Sequence, residues 1–514
     1  MRESGILMPV SSLPGPYGIG CFGKEAEKFV DFLAAAGQKI WQILPLSPTG
    51  YGDSPYQSCS AFAGNPYFID LDALKAEGLL TAAQLKAEPW GKDPLAVDYG
   101  TLYTSRYKIL RAAYAAWCKQ CEGLHGCARY YPDAYYAFTL ENEDWLEDYA
   151  LYMALKTANG MKSWTEWPRE YRLRDGGALE RFRAENEEEI GFWKFLQYEF
   201  AAQWKKVKAY ANEKGHPDPR RYPHLRLGGL RGRLGWRPAV RAGRQRRLCP
   251  RGRLPAGLLL PPTASSGAIR CTTGPTTARP AMLGGSRGCG TRWASTICSA
   301  STTSAASTPT GPSRRAARRP AAASGRSAPG WSCSTPSKGR WASCPSSRRT
   351  SATSWTASVS CWLRAASPGM KVLQFAFGGG DNEYLPHNHI KNSVVYPGTH
   401  DNTTLNDWWE NSATEKEKTM AAAYLHLVPC RPTAKEVAAV KADTARVALL
   451  RAALGSASDR AIIPMGDWLG LGEEAHLNTP GRLGGNWTWR AAAGFDTAAL
   501  AKEIRGECEV VCRA

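Results

Sequence analysis

The sequence predicts an α/β protein, a barrel of alternating strands and helices with a helical insertion and a central segment of foreign composition. Three observations support this. An amphipathic helix and an apolar strand follow each other near the N-terminus, short apolar strands recur near the C-terminus, and no acidic residue lies between Asp218 and Asp381. The length of 514 residues allows two to four domains, or one large barrel with insertions.

The N-terminal flank begins the alternating pattern. Apolar residues recur at helical spacing across residues 24–36, and Gly37 is placed to end that helix in a left-handed conformation. Residues 39–44 then predict a short strand, which is followed by the Gly-, Ser- and Pro-rich loop 50–58. Loops at the C-terminal ends of barrel strands carry the active site, although a plain surface turn is the alternative interpretation here.

A helical insertion is predicted over about residues 70–210. The clearest helices are residues 140–158 and 185–215. Aromatic residues are scattered through these charged, Ala-rich segments without a fixed spacing, which favours packing residues over a platform for sugars.

The C-terminal flank recovers the alternation. Residues 370–377, 393–396 and 461–464 each predict a strand. The second of these leads into His400 and Asp401, and a His-Asp pair just past a strand is a candidate carboxylate site. An aspartate that caps a helix or forms an ion pair is the alternative.

Several function classes are disfavoured. No run of about eighteen apolar residues predicts a membrane span, and residues 1–15 lack the pattern of a secretory signal. The cysteine spacing matches no metal site. We therefore expect a cytoplasmic protein without a metal site.

The central segment accounts for the positive net charge of the chain. Residues 219–380 are 162 positions without Asp or Glu, and they contain 25 Arg and two Lys. Their formal charge is +27, whereas the remainder of the chain carries −8. Such a segment can bind nucleic acid.

A reading-frame error explains the same composition better. Asn is absent from residues 219–380, while Tyr, Phe, Ile and Lys nearly vanish and Arg, Ala, Gly, Pro, Ser and Thr replace them. These substitutions exchange AT-rich codons for GC-rich ones. The sequence therefore predicts a coding sequence translated out of frame, with no nucleic-acid partner.

Six distinctive runs in the two flanks follow one another in a fixed order. They cover residues 5–20, 50–68, 368–377, 384–388, 394–409 and 469–490. On these runs, both flanks resemble the amylomaltases, the 4-α-glucanotransferase family of glycoside hydrolases. Two positions depart from the family pattern, since Pro397 replaces a usual Thr and Gly466 a common Gln.

The resemblance implies a (β/α)8 TIM-type barrel that transfers α-1,4-glucan segments between maltooligosaccharides by a retaining mechanism. It also implies that this transfer needs no metal or organic cofactor. It implies that Asp401, with His400 beside it, is the carboxylate that favours the transition state. It also implies that Ser54 and Tyr56 contact donor or acceptor sugars, that Phe375 lines the groove and that Asn486 lies near the acceptor side. Each of these four positions is equally open to a packing role.

The family's two reacting carboxyl groups are missing as written. The nucleophile belongs in an Arg-Ile-Asp-His-Phe-Arg-Gly-Phe run and the acid/base in an Ile-Ile-Ala-Glu-Asp-Leu-Gly run. Suitable codons, read in a shifted frame, place the nucleophile across Ser301 and Thr302 and the acid/base across Arg348 and Arg349. Further family motifs follow in family order with one change of offset.

We therefore expect three like-signed single-base slips, near Gly215, Pro262 and Pro368. The expected organisation is an N-terminal barrel part (1–215), an out-of-frame, disordered segment (216–367) that corrupts the central strands, and a C-terminal barrel part (368–514). A chain so altered is expected to be inactive. A glucan-binding relic and an α-glucan hydrolase of the same barrel type are the alternatives.

Overall fold

A parallel sheet joins the two ends of the chain. The computed structural model describes residues 2–122, 130–214 and 368–514. Within them, five strands pair in the order β2-β1-β5-β4-β3, and every pair is parallel. The strands are Glu3–Leu7 (β1), Ile40–Gln42 (β2), Gly369–Val372 (β3), Ser393–Tyr396 (β4) and Arg460–Pro464 (β5). The first described strand of the chain, β1, therefore pairs directly with the last, β5, and brings the two flanks of the chain into one sheet.

Strand β1 was not predicted from the sequence, although it is an internal strand of the sheet, paired on both sides. It runs alongside β5 from the pair Glu3–Arg460 to the pair Leu7–Pro464. On its other side, a Cβ atom at Gly5 would lie 2.5 Å from the Ile40 Cβ. Glycine therefore permits the close approach of β1 and β2.

The helices lie between and outside these strands. Helix α1 is Lys24–Ala35, as the apolar spacing predicts, and Gly37 adopts the predicted left-handed conformation with φ of 69°. The remaining helices in the described residues are Leu71–Ala76 (α2), Ala82–Ala87 (α3), Tyr99–Cys121 (α4), Asp133–Glu141 (α5), Leu146–Ala158 (α6), Arg169–Arg172 (α7), Gly176–Glu185 (α8), Glu187–Lys214 (α9), Leu405–Asp407 (α10), Glu415–Tyr424 (α11), Ala434–Ala438 (α12), Ala442–Gly455 (α13), Met465–Trp468 (α14) and Ala498–Val510 (α15).

Helices α2 to α9 form the predicted insertion. Helix α9 packs against α1 and α6, and through them it joins the insertion to the barrel. The aromatic residues here pack together: Trp117 is buried and stacks on Tyr131 with ring centroids 4.9 Å apart. The prediction of one helix over residues 140–158 is wrong, because the chain breaks between α5 and α6. Asn142 causes the break, since its side chain donates to the Phe138 carbonyl and accepts from the Trp145 indole.

The predicted strand 370–377 is wrong in its second half. Strand β3 ends at Val372, and Leu373–Phe375 forms a 3₁₀ turn. The bend follows from Gln374, whose backbone N–H donates to the Pro397 carbonyl and whose side chain donates to the Thr403 carbonyl. The chain after β3 is thus tied to the loop after β4. Strand β4 lies where it was predicted, and β5 begins one residue earlier than expected.

The expected out-of-frame segment, residues 216–367, lies outside the described residues, so the predicted domain boundaries stay predictions. Among the helices that the structure does describe, none combines the length and apolar content needed to cross a bilayer.

Candidate active site

The candidate site lies in the loop that follows β4. All four residues of this strand are buried, and the chain then turns through residues 397–404. Asn402 organises the turn, because its Oδ1 accepts hydrogen bonds from the backbone N–H and the hydroxyl of Thr399, at 3.1 and 2.8 Å. A Cβ at Gly398 would lie 2.9 Å from the Gln374 Nε2, so glycine allows the loops after β3 and β4 to touch.

His400 and Asp401 form a nearly buried pair at the tip of this turn. Their side chains are 3% and 9% exposed, and the His400 Nε2 lies 3.3 Å from the Asp401 Oδ1. The His400 Nδ1 lies 3.5 Å from the Tyr56 hydroxyl. A neutral His400 protonated at Nε2 fits both contacts, donating towards Asp401 and accepting from Tyr56.

An aromatic cluster surrounds the pair. The rings of Tyr56 and His400 are stacked, with centroids 4.9 Å apart and planes 17° apart. Trp487 tilts against both, at 5.9 Å from Tyr56 and 5.7 Å from His400. Loops that follow β2, β4 and β5 therefore meet at one edge of the sheet, the edge at which parallel strands end.

Trp487 adopts an unusual backbone conformation to reach this cluster. Its φ is 63°, in the left-handed region that side chains other than Asn, Asp or Gly seldom occupy. Its N–H donates to the Leu477 carbonyl at 2.6 Å, and its own carbonyl accepts from the Tyr99 hydroxyl at 2.9 Å. These two bonds hold the strained residue in place.

Asn478 completes the polar side of the site. Its Nδ2 donates to the Asp401 Oδ1 at 2.7 Å. His476, two residues earlier, lies beside the backbone of Asp401, and burial lowers the pKa of its ring. Both His400 and Asn478 thus contact the same oxygen of Asp401, Oδ1.

The sequence-predicted residues separate into two groups. Tyr56, His400 and Asp401 meet in the cluster, and Ser54 lies next to it, where its hydroxyl accepts from the Tyr56 N–H at 3.3 Å. Phe375 is 48% exposed, and its ring packs edge-to-face on Tyr384 rather than in the cluster.

Asn486 organises the loop that precedes Trp487. Its Oδ1 accepts from the Thr479 N–H at 2.9 Å, and its Nδ2 donates to the Arg482 carbonyl at 2.9 Å. Both ends of the amide are therefore engaged by the backbone of residues 479–482. The place near an acceptor sugar that the resemblance implies for Asn486 stays a prediction.

Sequence reasoning missed Asn478 and gave Trp487 no role. The run that contains Trp487 was recognised, but its place against Tyr56 depends on a contact across 431 positions of the chain. Asn478 lies in a Leu-Asn-Thr-Pro run. A cluster of Asn, Thr and Pro ordinarily indicates a turn or loop, so this pattern predicted a structural role for Asn478.

A buried carboxylate accepts a hydrogen bond from the backbone at the end of the loop that follows β4. Asp467 is 1% exposed, and its Oδ1 accepts from the Leu405 N–H at 2.7 Å. Burial raises the pKa of Asp467 to about 7. A cavity of about 20 Å³, lined by Thr399, Asn402 and Gly466 among others, lies beside it. That volume holds a single water molecule.

Known proteins resemble this chain along most of its length. A family model described as 4-alpha-glucanotransferase matches residues 8–217 and 357–495. The chain is 34% identical over 531 residues to a 4-alpha-glucanotransferase of Clostridium butyricum, across 98% of this chain and 100% of that one. It is also 34% identical over 541 residues to one of Thermus thermophilus, across 96% of this chain and 95% of the relative.

Solved structures agree with the fold. An amylomaltase from Streptococcus agalactiae, determined in complex with acarbose, superposes with a TM-score of 0.67 at 24% identity and covers 100% of both chains. An amylomaltase from Corynebacterium glutamicum superposes with a TM-score of 0.54 at 10% identity, over 99% of this chain and 74% of that one. The predicted fold class, an α/β barrel of the (β/α)8 type, is confirmed.

Proposed function

Because the chain belongs to the 4-α-glucanotransferase family, we propose that its site was built to transfer α-1,4-glucan segments between maltooligosaccharides, and that the chain as written cannot complete the transfer. The observation that carries this proposal is the meeting of Tyr56, His400, Asp401 and Trp487 at the C-terminal edge of the sheet. Aromatic faces beside a nearly buried carboxylate suit a neutral sugar ring that becomes positively charged as it reacts.

In retaining transfer, different carboxyl groups carry out different chemical steps. One attacks the anomeric carbon and forms a covalent glycosyl-enzyme, while a second protonates the departing glycosidic oxygen. The second group then takes the proton from the 4-hydroxyl of the acceptor as this hydroxyl attacks the same carbon. Asp401 is suited to a third role, since a fixed negative charge beside the ring lowers the free energy of the oxocarbenium-like transition state.

The two reacting carboxyl groups have no counterpart in the chain as written. The family places both in the middle of the sequence, and residues 219–380 contain neither Asp nor Glu. The stretch that the family model leaves unmatched, residues 218–356, falls within this acid-free segment apart from its first residue. That coincidence supports the interpretation that the segment is the catalytic part of the protein read out of frame.

The experiment compares two proteins from one gene. The chain as written and a control, in which residues 216–367 are replaced by the frame-restored translation, are each incubated with maltotriose. We expect the control to release glucose and longer maltooligosaccharides, and the written chain to release neither. Transfer products from the written chain at a rate near that of the control would refute the proposal.

A glucan-binding relic is the second candidate, favoured by the intact cluster around Asp401. It requires that maltoheptaose raise the melting temperature of the written chain and that Tyr56→Ala reduce this shift. The ratio of transfer to hydrolysis by the restored control separates a transferase from an α-glucan hydrolase.

The cytoplasmic location stays a prediction, since relatives from Arabidopsis thaliana and Solanum tuberosum are described as chloroplastic.

A further inference from the structure

Asn478 makes a short hydrogen bond to the candidate carboxylate. Its Nδ2 lies 2.7 Å from the Asp401 Oδ1, whereas the His400 Nε2 lies 3.3 Å from the same oxygen. The Asp401 side chain is only 9% exposed. Its orientation is therefore set by protein partners more than by solvent.

The segment around Asn478 is itself fixed by hydrogen bonds on both sides. The Leu477 carbonyl accepts from the Trp487 N–H, and the Thr479 N–H donates to the Asn486 Oδ1. Asn486 also donates to the Arg482 carbonyl, which closes the loop between these positions. Both residues that flank Asn478 therefore make hydrogen bonds through their backbone atoms within the loop, which fix the position of its side-chain amide relative to the sheet.

The same loop positions the aromatic cluster. Trp487, which is bonded to Leu477, packs against both His400 and Tyr56. A single loop, residues 477–487, therefore carries the amide that holds Asp401 and the ring that packs on His400. A displacement of this loop would move both groups together.

We propose that Asn478 is a positioning residue, which fixes the carboxylate of Asp401 against the sugar ring, and that Asn486 acts through it by closing the loop. This inference rests on the proposed function, because it assigns a role towards a glucan. It also explains why the amide of Asn486 bonds to the loop backbone.

A ligand-binding experiment tests the proposal on the full chain. Acarbose has a half-chair ring and an inter-ring nitrogen that is cationic when protonated, so a correctly placed carboxylate favours it over maltoheptaose. We expect Asn478→Ala to weaken acarbose binding about tenfold while changing maltoheptaose binding less than about threefold. Asn478→Asp should weaken acarbose binding at least as much, because it places a second carboxylate against Asp401.

Asn411 provides a matched control. Its Nδ2 donates to the Asp407 Oδ1, also at 2.7 Å, outside the cluster. Asn411→Ala removes an equivalent Asn–Asp bond and should leave the ratio of the two affinities unchanged. If Asn478→Ala weakens both ligands equally, or neither, the proposal is wrong and the proposed function stands.

A ligand-free measurement separates this inference from the function. Melting temperatures of Asn478→Ala, Asp401→Ala and the double variant form a double-mutant cycle. The double variant should lose less stability than the sum of the two single losses, since either substitution alone removes the shared bond. Additive losses would overturn the proposal. If the unmutated chain binds neither sugar, the proposed function fails, and this cycle still decides whether Asn478 holds Asp401.

Discussion

The buried carboxylate beneath the candidate site should make stability depend on pH in an unusual direction. Asp467 is 1% exposed, and burial raises its pKa from an ordinary value of 3.8 to about 7. The hydrogen bond from the Leu405 N–H and the nearby Arg446 oppose this rise without cancelling it. A pKa difference of that size corresponds to about 4 kcal/mol.

The sign follows from proton binding. Between about pH 4 and pH 7 the folded chain keeps a proton on Asp467 that the unfolded chain has released. The free energy of unfolding therefore falls as the pH rises through this range, by up to about 4 kcal/mol from this residue. Asp467→Asn cannot release a proton, yet it keeps an oxygen to accept from Leu405.

Chemical denaturation at several pH values measures the effect. We expect the stability of Asp467→Asn, relative to the unmutated chain, to increase by about 4 kcal/mol between pH 4 and pH 8. Asp443→Asn is the control, because Asp443 binds the same Arg446 at 2.6 Å while remaining 70% exposed. Parallel pH profiles for Asp467→Asn and the unmutated chain would refute the reasoning, since they would mean that burial leaves this carboxyl unaffected.

Two further substitutions test the fold and the loop. Arg513→Ala should lower the free energy of unfolding by about 3 kcal/mol or more, because the buried Arg513 guanidinium donates to five carbonyls. Its melting temperature should fall well below that of the exposed control Arg505→Ala. Equal melting temperatures of Arg513→Ala and Arg505→Ala would contradict this role of Arg513. Gly398→Ala should weaken maltoheptaose binding several-fold, since its Cβ would lie 2.9 Å from Gln374 Nε2, whereas Gly378→Ala meets open space. Equal affinities of the two glycine variants, measured by calorimetry, would count against the close approach.

Much of the fold follows from local patterns. The apolar spacing of α1, the left-handed Gly37 and strand β4 are properties of contiguous residues, so the sequence was sufficient to predict them. The sequence pattern did not predict strand β1, because a polar Ser4 and a Gly5 interrupt its apolar run. Its burial depends on β2 and β5, which flank it on either side.

The two wrong predictions have different origins. Residues 370–377 form an alternating apolar run, but Gln374 bonds to the loop after β4 and bends the chain, so a tertiary contact outweighs local propensity. The helix over residues 140–158 breaks where the side chain of Asn142 donates to the Phe138 carbonyl. That bond is local, and it competes with the backbone hydrogen bonds of the helix.

The candidate site was predicted in part. The position of His400 and Asp401 just past a strand was visible in the sequence, and so was the motif that contains Tyr56. Their convergence depends on parallel strands that end at the same edge, and the sequence predicted that much only through the barrel fold.

The sequence by itself determined the family, the alternation of strands and helices, and the absence of carboxylates from residues 219–380, because motifs, periodicity and composition are properties of the chain alone. Only the tertiary structure decided that Asn478 holds Asp401 and that Trp487 packs on Tyr56 and His400. These contacts join residues that are distant along the chain. Side chains so far apart meet only after the sheet has brought its loops to one edge.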